Sequence, residues 1–159
     1  MTTTHDPSGE WRRYCWITLG LFAVVWVALG INPKERADWA LEHLLVVAFV
    51  AALIASMRWF PLSRLSWTLI LLFLTLHSIG AHYTYAEVPY DDWTEALFGF
   101  RLDAVLGLER NNFDRFVHFS YGLLLAYPMR ELFLRVADAR GFWGYFLPLD
   151  LTLSTSAAY

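Results

Sequence analysis

The stretch LSWTLILLFLTLHSIGAHYTYAEVPY, residues 65–90, decides the fold class. Its first part, from Leu65 to about Ala81, is an apolar run that approaches the roughly 20 residues a helix needs to cross a bilayer. Its second part carries His77 and His82 and leads into an acidic loop rich in tyrosine. Ionisable side chains at membrane depth are costly and mark functional sites by default. The stretch therefore predicts a membrane-spanning helix with a polar site at one end.

Four further apolar runs lie on either side of this one. They cover Tyr14–Ile31, Leu41–Met57, Phe116–Phe133 with a kink at Pro128, and a last run from Phe142 to the end at Tyr159. The sequence thus predicts an all-α fold, a polytopic transmembrane bundle of about five hydrophobic helices in a single membrane domain over residues 1–159. Because the last run is still apolar at Tyr159, we expect a truncated chain with an incomplete fifth helix. A short re-entrant segment is the alternative.

Composition narrows the functional class. Hydrophobic residues make up 57% of the 159 residues and charged residues 17%, whereas a soluble domain is nearer half and a quarter. A net charge of −3 without a basic stretch argues against nucleic acid. The single cysteine, Cys15, excludes an intrachain disulfide or a thiolate metal cage. The lipid bilayer is the expected partner, and no phosphate loop, nucleotide fingerprint or nucleophile elbow is present.

Arginines set the expected orientation. They flank alternate ends of the runs, at Arg12, Arg13, Arg58, Arg64, Arg130, Arg135 and Arg140. The positive-inside rule places these in the cytoplasm, together with a polar N-terminal tail over residues 1–12 that we expect to be frayed. The acidic loop 83–115 is then extracytoplasmic, and its Asp92–Phe100 segment has the spacing of a short amphipathic helix. A multi-pass protein of the bacterial inner membrane is predicted.

This topology brings six polar residues to the outward ends of three spans, and four of them are histidines. They are Glu42, His43, His77, His82, Asp114 and His118. A divalent metal held by His77, His82 and His118, with Glu42 and His43 as further ligands, is one prediction. Hydrogen bonds between helices are the alternative for each histidine. His77 and His82 are five residues apart and diverge on an ideal helix, so Gly80 would have to loosen the last turn.

Asp114 and His118 are four residues apart and share a helix face. A carboxylate beside an imidazole suits a general-base pair or the second shell of a metal, although Asp114 also suits a helix cap. Arg115 would grip a phosphate or anchor at the interface. Tyr83 completes the candidate catalytic set, and an interfacial anchor explains it equally well.

Two acidic residues lie outside this group. Asp150 falls halfway along the last run, where we expect it to be buried and offset by Arg or His on a neighbouring helix. Glu131 adjoins Arg130, which predicts an ion pair on the surface.

Four strings resemble a known family: HSIGAHYTYAEVPY (77–90), NNFDRFVHF (111–119), SYGLLLAYPMREL (120–132) and GFWGYFLPLDLTLSTSAAY (141–159). They are similar to the YjdF-type bacterial inner-membrane proteins, a family of unknown function. Asp114, Arg115 and His118 also resemble the pattern that opens a helix in VanZ-like membrane proteins. That likeness implies an envelope lipid or a lipid-linked substrate, as an analogy only.

Three functions are compatible with these residues. The outward His/Asp/Tyr pocket would bind an envelope lipid or a lipid-linked substrate, and act on it as an enzyme or only hold it. The same residues would otherwise form the path of a small transporter or a proton path. In a structural membrane subunit they would only join helices.

Overall fold

The computed structural model describes residues 9–158 and is helical throughout, with no strand in that range. Its helices are α1 (Gly9–Leu29), α2 (Arg36–Trp59), α3 (Arg64–Tyr83), α4 (Tyr90–Phe98), α5 (Leu102–Leu106), α6 (Phe113–Val136) and α7 (Trp143–Ala158). The all-α prediction is confirmed.

Helix α3 is the centre of the bundle and contacts α1, α2 and α6. Polar side chains fix α1 against it: the Trp67 indole donates to the Thr18 hydroxyl at 2.9 Å, and the Trp11 indole donates to the Leu62 carbonyl at 3.0 Å. The buried residues of α1 recur every three or four positions, so only one face of that helix meets the core. From Trp16 onward most of the other residues are apolar and exposed, as expected of a helix surrounded by lipid.

Helices α2 and α6 pack on α3 from different sides, and α7 packs on α6. The Phe73 ring of α3 meets the Tyr121 ring of α6 edge to face at 5.2 Å. The hydroxyl of the same Tyr121 donates to Thr155 of α7 at 3.0 Å. Two cavities separate α2 from α6 along the surface of α3.

Three helices, α1, α2 and α3, are long and apolar enough to cross a membrane. This is fewer than the predicted five. Helix α6 has 24 residues but carries charged side chains in its first and last turns, and α7 has only 16 residues. A helix crossing the hydrocarbon core needs roughly 20 apolar residues.

Three local expectations are corrected. Helix α1 begins at Gly9, so the end of the predicted tail is helical, and residues 1–8 lie outside the described part of the chain. Asp150 is exposed on α7 instead of buried. The Glu131 side chain is 11% exposed and pairs with Arg135, so the predicted surface pair with Arg130 is wrong. The amphipathic helix of the loop is present as α4.

Candidate functional site

One end of the bundle gathers the histidines. We call it the histidine end: the last two turns of α1 and α3 with the first two turns of α2 and α6, which hold His43, His77, His82 and His118. A cavity of about 220 Å³ opens there, lined by Glu42, Tyr85, Asp114, Val117 and His118. Residues from α2, the α3–α4 loop and α6 therefore meet around one space, although they are far apart in sequence.

The floor of this site is a hydrogen-bonded group formed by His77, Tyr85 and Glu42. His77 is fully buried, and its Nδ1 lies 3.0 Å from the Tyr85 hydroxyl. Its Nε2 lies 3.3 Å from the Glu42 carbonyl oxygen and 3.6 Å from the Glu42 carboxylate. A carbonyl oxygen can only accept, so Nε2 carries the proton and Nδ1 accepts from the Tyr85 hydroxyl in the neutral ring.

Tyr85 reaches His77 through a tight turn. Thr84 and Tyr85 both have positive φ, 62° and 51°, which is uncommon outside glycine. The turn is fixed by the Tyr85 N–H, which donates to the Gly80 carbonyl at 2.7 Å. A Cβ atom on Gly80 would overlap the Tyr85 ring. Gly80 therefore makes room for Tyr85 and does not loosen the end of α3, which stays helical through Tyr83.

His43 lies directly behind His77. Its ring is 3% exposed, stacks on the Trp39 ring at 4.1 Å and lies 6.3 Å from the His77 ring. Its Nδ1 is 2.6 Å from the Trp39 carbonyl oxygen, while its Nε2 is buried without a hydrogen-bond partner among residues 9–158. An imidazole nitrogen left unsatisfied in the core costs free energy, which singles out this end of the bundle.

The structure separates His82 and Tyr83 from this cavity. His82 Nδ1 lies 2.7 Å from the carbonyl oxygen of Leu29, at the end of α1. The Tyr83 ring packs against Trp93 of α4 at 5.8 Å. His82 therefore joins α3 to α1, and the tyrosine that lines the cavity is Tyr85.

Asp114 and His118 line the cavity together from one face of α6. The Asp114 carboxylate pairs with Arg110 at 3.2 Å, and its Oδ1 is buried with no hydrogen-bond partner in the described chain. Burial raises the pKa of Asp114, but hydrogen bonds from the Arg115 backbone and the Arg110 guanidinium outweigh it, so the pKa lies below its ordinary value. Asp114 is therefore a carboxylate at neutral pH. Arg115 itself is exposed.

Asp114 does not cap α6, which begins at Phe113 with Asn112 at the N-cap position. The Asn111 side chain accepts from the Phe113 N–H at 3.0 Å and donates to the Val88 carbonyl at 2.7 Å. The Tyr90 hydroxyl accepts from the Asn112 N–H at 3.0 Å and donates to Asp103. Burial and the bond to Asp103 raise the pKa of Tyr90. The loop between α3 and α6 is thus tied to the start of α6, which leaves Asp114 for the cavity.

Metal ligation by these residues stays a prediction. Among residues 9–158, no three His, Cys, Asp or Glu side chains are grouped so that they could hold a metal ion. At the histidine end, Glu42 and His118 line the cavity and His77 lies beside His43, whereas His82 contacts the end of α1 and does not line the cavity.

Comparison with known proteins settles the family. Residues 14–159 match the family described as "Predicted membrane protein (DUF2238)". The chain belongs to the DUF2238 family. It is 34% identical over 137 residues to "Inner membrane protein YjdF" of Escherichia coli (strain K12), a match that covers 86% of this chain. The chain spans 62% of the length of that relative. No solved structure matches it.

Membership of DUF2238 makes the chain an integral membrane protein and confirms the resemblance to YjdF-type proteins. The likeness to VanZ-like proteins finds no support in these matches. Sequence reasoning passed over Tyr85 as a cavity residue of this DUF2238 chain. The signal was present in the sequence, since Gly80 precedes Tyr85 by five residues and leaves room for a ring that folds back on the helix end.

Proposed function

We propose that this protein lies in the bacterial inner membrane with its histidine end facing outward, and that the cavity there binds the polar head of an envelope lipid or of a lipid-linked substrate. The observation that carries the proposal is the cavity itself, which joins Glu42, Tyr85, Asp114 and His118. In this arrangement α6 also lies within the membrane beside α3, with α7 beside α6, and the loop 83–115 covers the outer surface.

The charges of the cavity favour a head that contains an ammonium group or several hydroxyls. Glu42 and Asp114 present carboxylate oxygens, which only accept hydrogen bonds. Arg115 is exposed beside Asp114 and suits a neighbouring phosphate. A phosphoethanolamine head, with an ammonium near a phosphate, satisfies both charges at once.

The same residues supply acid–base groups. Asp114 and His118 share one face of α6 and one cavity, so the carboxylate is placed to assist the imidazole as a general base. Arg115 is the phosphate contact of this proposal. Tyr85 takes the place of Tyr83 as the tyrosine of this proposed site, because its hydroxyl lies 3.0 Å from His77.

The experiment is a titration of purified protein with phosphatidylethanolamine, followed by native mass spectrometry. Tyr85→Phe removes the hydroxyl in the cavity, and Tyr83→Phe is the matched control outside it. Loss of one hydrogen bond of roughly 1 kcal/mol corresponds to about a fivefold weaker affinity for Tyr85→Phe. Tyr83→Phe should leave the affinity unchanged.

Glu42→Gln and Asp114→Asn test the charge of the cavity and should weaken phosphatidylethanolamine more than phosphatidylglycerol, whose head lacks the ammonium. Equal affinities for wild type, Tyr85→Phe and Glu42→Gln would refute the proposal. A loss of folded protein in Tyr85→Phe, Glu42→Gln and Asp114→Asn, with no change in the lipid affinity of the folded fraction, would support a purely structural role instead.

A further inference from the structure

We infer that the apolar tail of the ligand lies in a groove between α2 and α6, and that its occupant is an acyl chain of a bilayer lipid. We call this the tail groove, and its walls include Phe49, Ala52, Leu53, Leu125, Met129 and Leu132. The inference rests on the proposed function, because it extends the same site from head group to tail.

The tail groove is a second cavity, of about 260 Å³, with almost entirely apolar walls. Its one hydroxyl, on Ser56, is engaged with the Leu53 carbonyl at 2.7 Å. An apolar space without polar partners does not hold ordered water. Hydrocarbon is the chemistry that fits it.

The tail groove lies on the same two helices as the polar cavity, further from the histidine end. On α2, Phe49 and Leu53 follow Glu42 by seven and eleven residues, and on α6, Leu125 and Met129 follow His118 by the same intervals. Residues at these intervals lie on one helix face. At 1.5 Å per residue, they lie about 10 Å and about 16 Å from the polar cavity. The two helices run in the same direction. On both helices the polar residues therefore lie at the histidine end and the apolar residues lie further along.

The near part of the groove, at Phe49, Ala52 and Leu125, fits a lipid chain of one leaflet, whereas Leu132 lies deeper, about 21 Å from the polar cavity. The hydrocarbon core of a bilayer is about 30 Å thick, so the chain of an outer-leaflet lipid reaches about 15 Å from the polar boundary. The groove also opens to the side, since Ala52 is exposed and Leu132 is 41% exposed at its rim. A lipid can therefore enter laterally, with its head beside the carboxylates of Glu42 and Asp114 and one chain below.

The test fills the groove without touching the head site. Ala52→Trp places a ring in the groove, and Ala51→Trp is the matched control at the neighbouring exposed position, which does not line it. Leu132→Trp fills the deep part of the groove, beyond the reach of an outer-leaflet chain, and is the depth control. Each protein is titrated with dipalmitoyl and dihexanoyl phosphatidylethanolamine by native mass spectrometry, and its thermal unfolding is recorded.

We expect Ala52→Trp to weaken binding of the dipalmitoyl lipid at least about tenfold, which corresponds to two methylenes displaced from an apolar site, and Leu132→Trp to leave that binding unchanged. Binding of the dihexanoyl lipid should be unchanged, and Ala51→Trp should match wild type. Tyr85→Phe, by contrast, should weaken both lipids equally.

The outcomes separate the two proposals. If Tyr85→Phe weakens binding but Ala52→Trp does not discriminate by chain length, the inference of a tail groove is wrong and the head site stands. A protein segment that occupies the groove would give this same lack of chain-length dependence. If neither kind of variant changes binding, both proposals fail.

Discussion

Each end of the bundle carries a glutamate, but the two carboxylates differ in the number of close hydrogen bonds they accept. At the end opposite the histidine end, which we call the glutamate end, the Glu131 carboxylate of α6 lies at the start of α3. It accepts from the Ser63 N–H at 2.9 Å, from the Ser63 hydroxyl at 2.7 Å, from the Ser66 hydroxyl, and from Arg135 at 2.9 Å. At the histidine end, Glu42 is 38% exposed and its carboxylate contacts are 3.5 Å or longer.

Unsatisfied polar atoms follow the same division. Six buried side-chain nitrogen or oxygen atoms lack a hydrogen-bond partner within the described chain. Five belong to the histidine end or the residue capping α6, on Trp26, Trp39, His43, Asn112 and Asp114. The sixth, Arg130 Nε, lies near the glutamate end.

The difference shows how to distinguish a structural polar cluster from a binding site. A buried carboxylate with all its acceptor positions filled stabilises the helices it joins, and it has nothing left for a ligand. Buried groups that lack partners cost stability, and a ligand that supplies the missing partners recovers it. The histidine end is therefore the place to expect binding, and the glutamate end the place to expect stability.

Glu131→Ala carries the largest expected effect. Removing this carboxylate leaves Ser63, Ser66 and the start of α3 without their acceptor, and we expect a loss of about 3 kcal/mol in the free energy of unfolding. Unfolding in mixed micelles measures this loss of free energy. Glu42→Ala, the matched carboxylate at the histidine end, should cost less than about 1 kcal/mol. Equal losses at the two carboxylates would abolish the distinction between the ends.

Gly80→Ala should have an intermediate effect at the histidine end. The added methyl group displaces the Tyr85 ring, so we expect a loss of about 2 kcal/mol and weaker lipid binding. Gly122→Ala is the control within a helix, because a Cβ there meets nothing within 4 Å, and it should be neutral or stabilising by up to about 1 kcal/mol. In a Tyr85→Ala background the cost of Gly80→Ala should vanish. Persistence of that cost would rule out the ring as its cause.

Arg110→Ala should have the smallest effect on stability. The pair with Asp114 is 51% and 34% exposed, so we expect less than about 1 kcal/mol. The folded pKa of Asp114 is lowered, so its contribution is present above the unfolded pKa of about 3.9 and is lost as pH falls through the folded pKa. Unfolding measured against pH should show that loss at a higher pH in Arg110→Ala. An unchanged pH profile would show that Arg110 does not hold the carboxylate.

Much of the fold follows from simple sequence patterns. The apolar runs starting near Tyr14, Leu41 and Leu65 correspond to α1, α2 and α3 within a few residues, because a long hydrophobic run has few alternatives to a helix. The approach of His43, His77 and His118 also follows, since helices that alternate in direction bring distant residues to one end of a bundle. The number of crossing helices was harder to predict, because α6 has charged residues in its first and last turns.

The spacing of residues in the sequence did not predict which side chains form hydrogen bonds with each other. Sequence patterns favoured Tyr83 as a site residue and a surface position for Glu131, because sequence patterns relate a residue only to its neighbours along the chain. Two residues with positive φ after α3 send Tyr85, and not Tyr83, back to His77. Glu131 finds its partners in Ser63 and Ser66, which are more than sixty residues away.

The sequence by itself determined that this protein is a membrane-embedded helical chain with four of its histidines near the same ends of its helices, because hydrophobic length and periodicity act locally along the chain. The tertiary structure decided which polar groups are saturated and which remain open, since hydrogen bonds depend on distances between helices that no local pattern encodes. Glu131 and Glu42 look alike in sequence, and only their surroundings make one a structural contact and the other a candidate ligand contact.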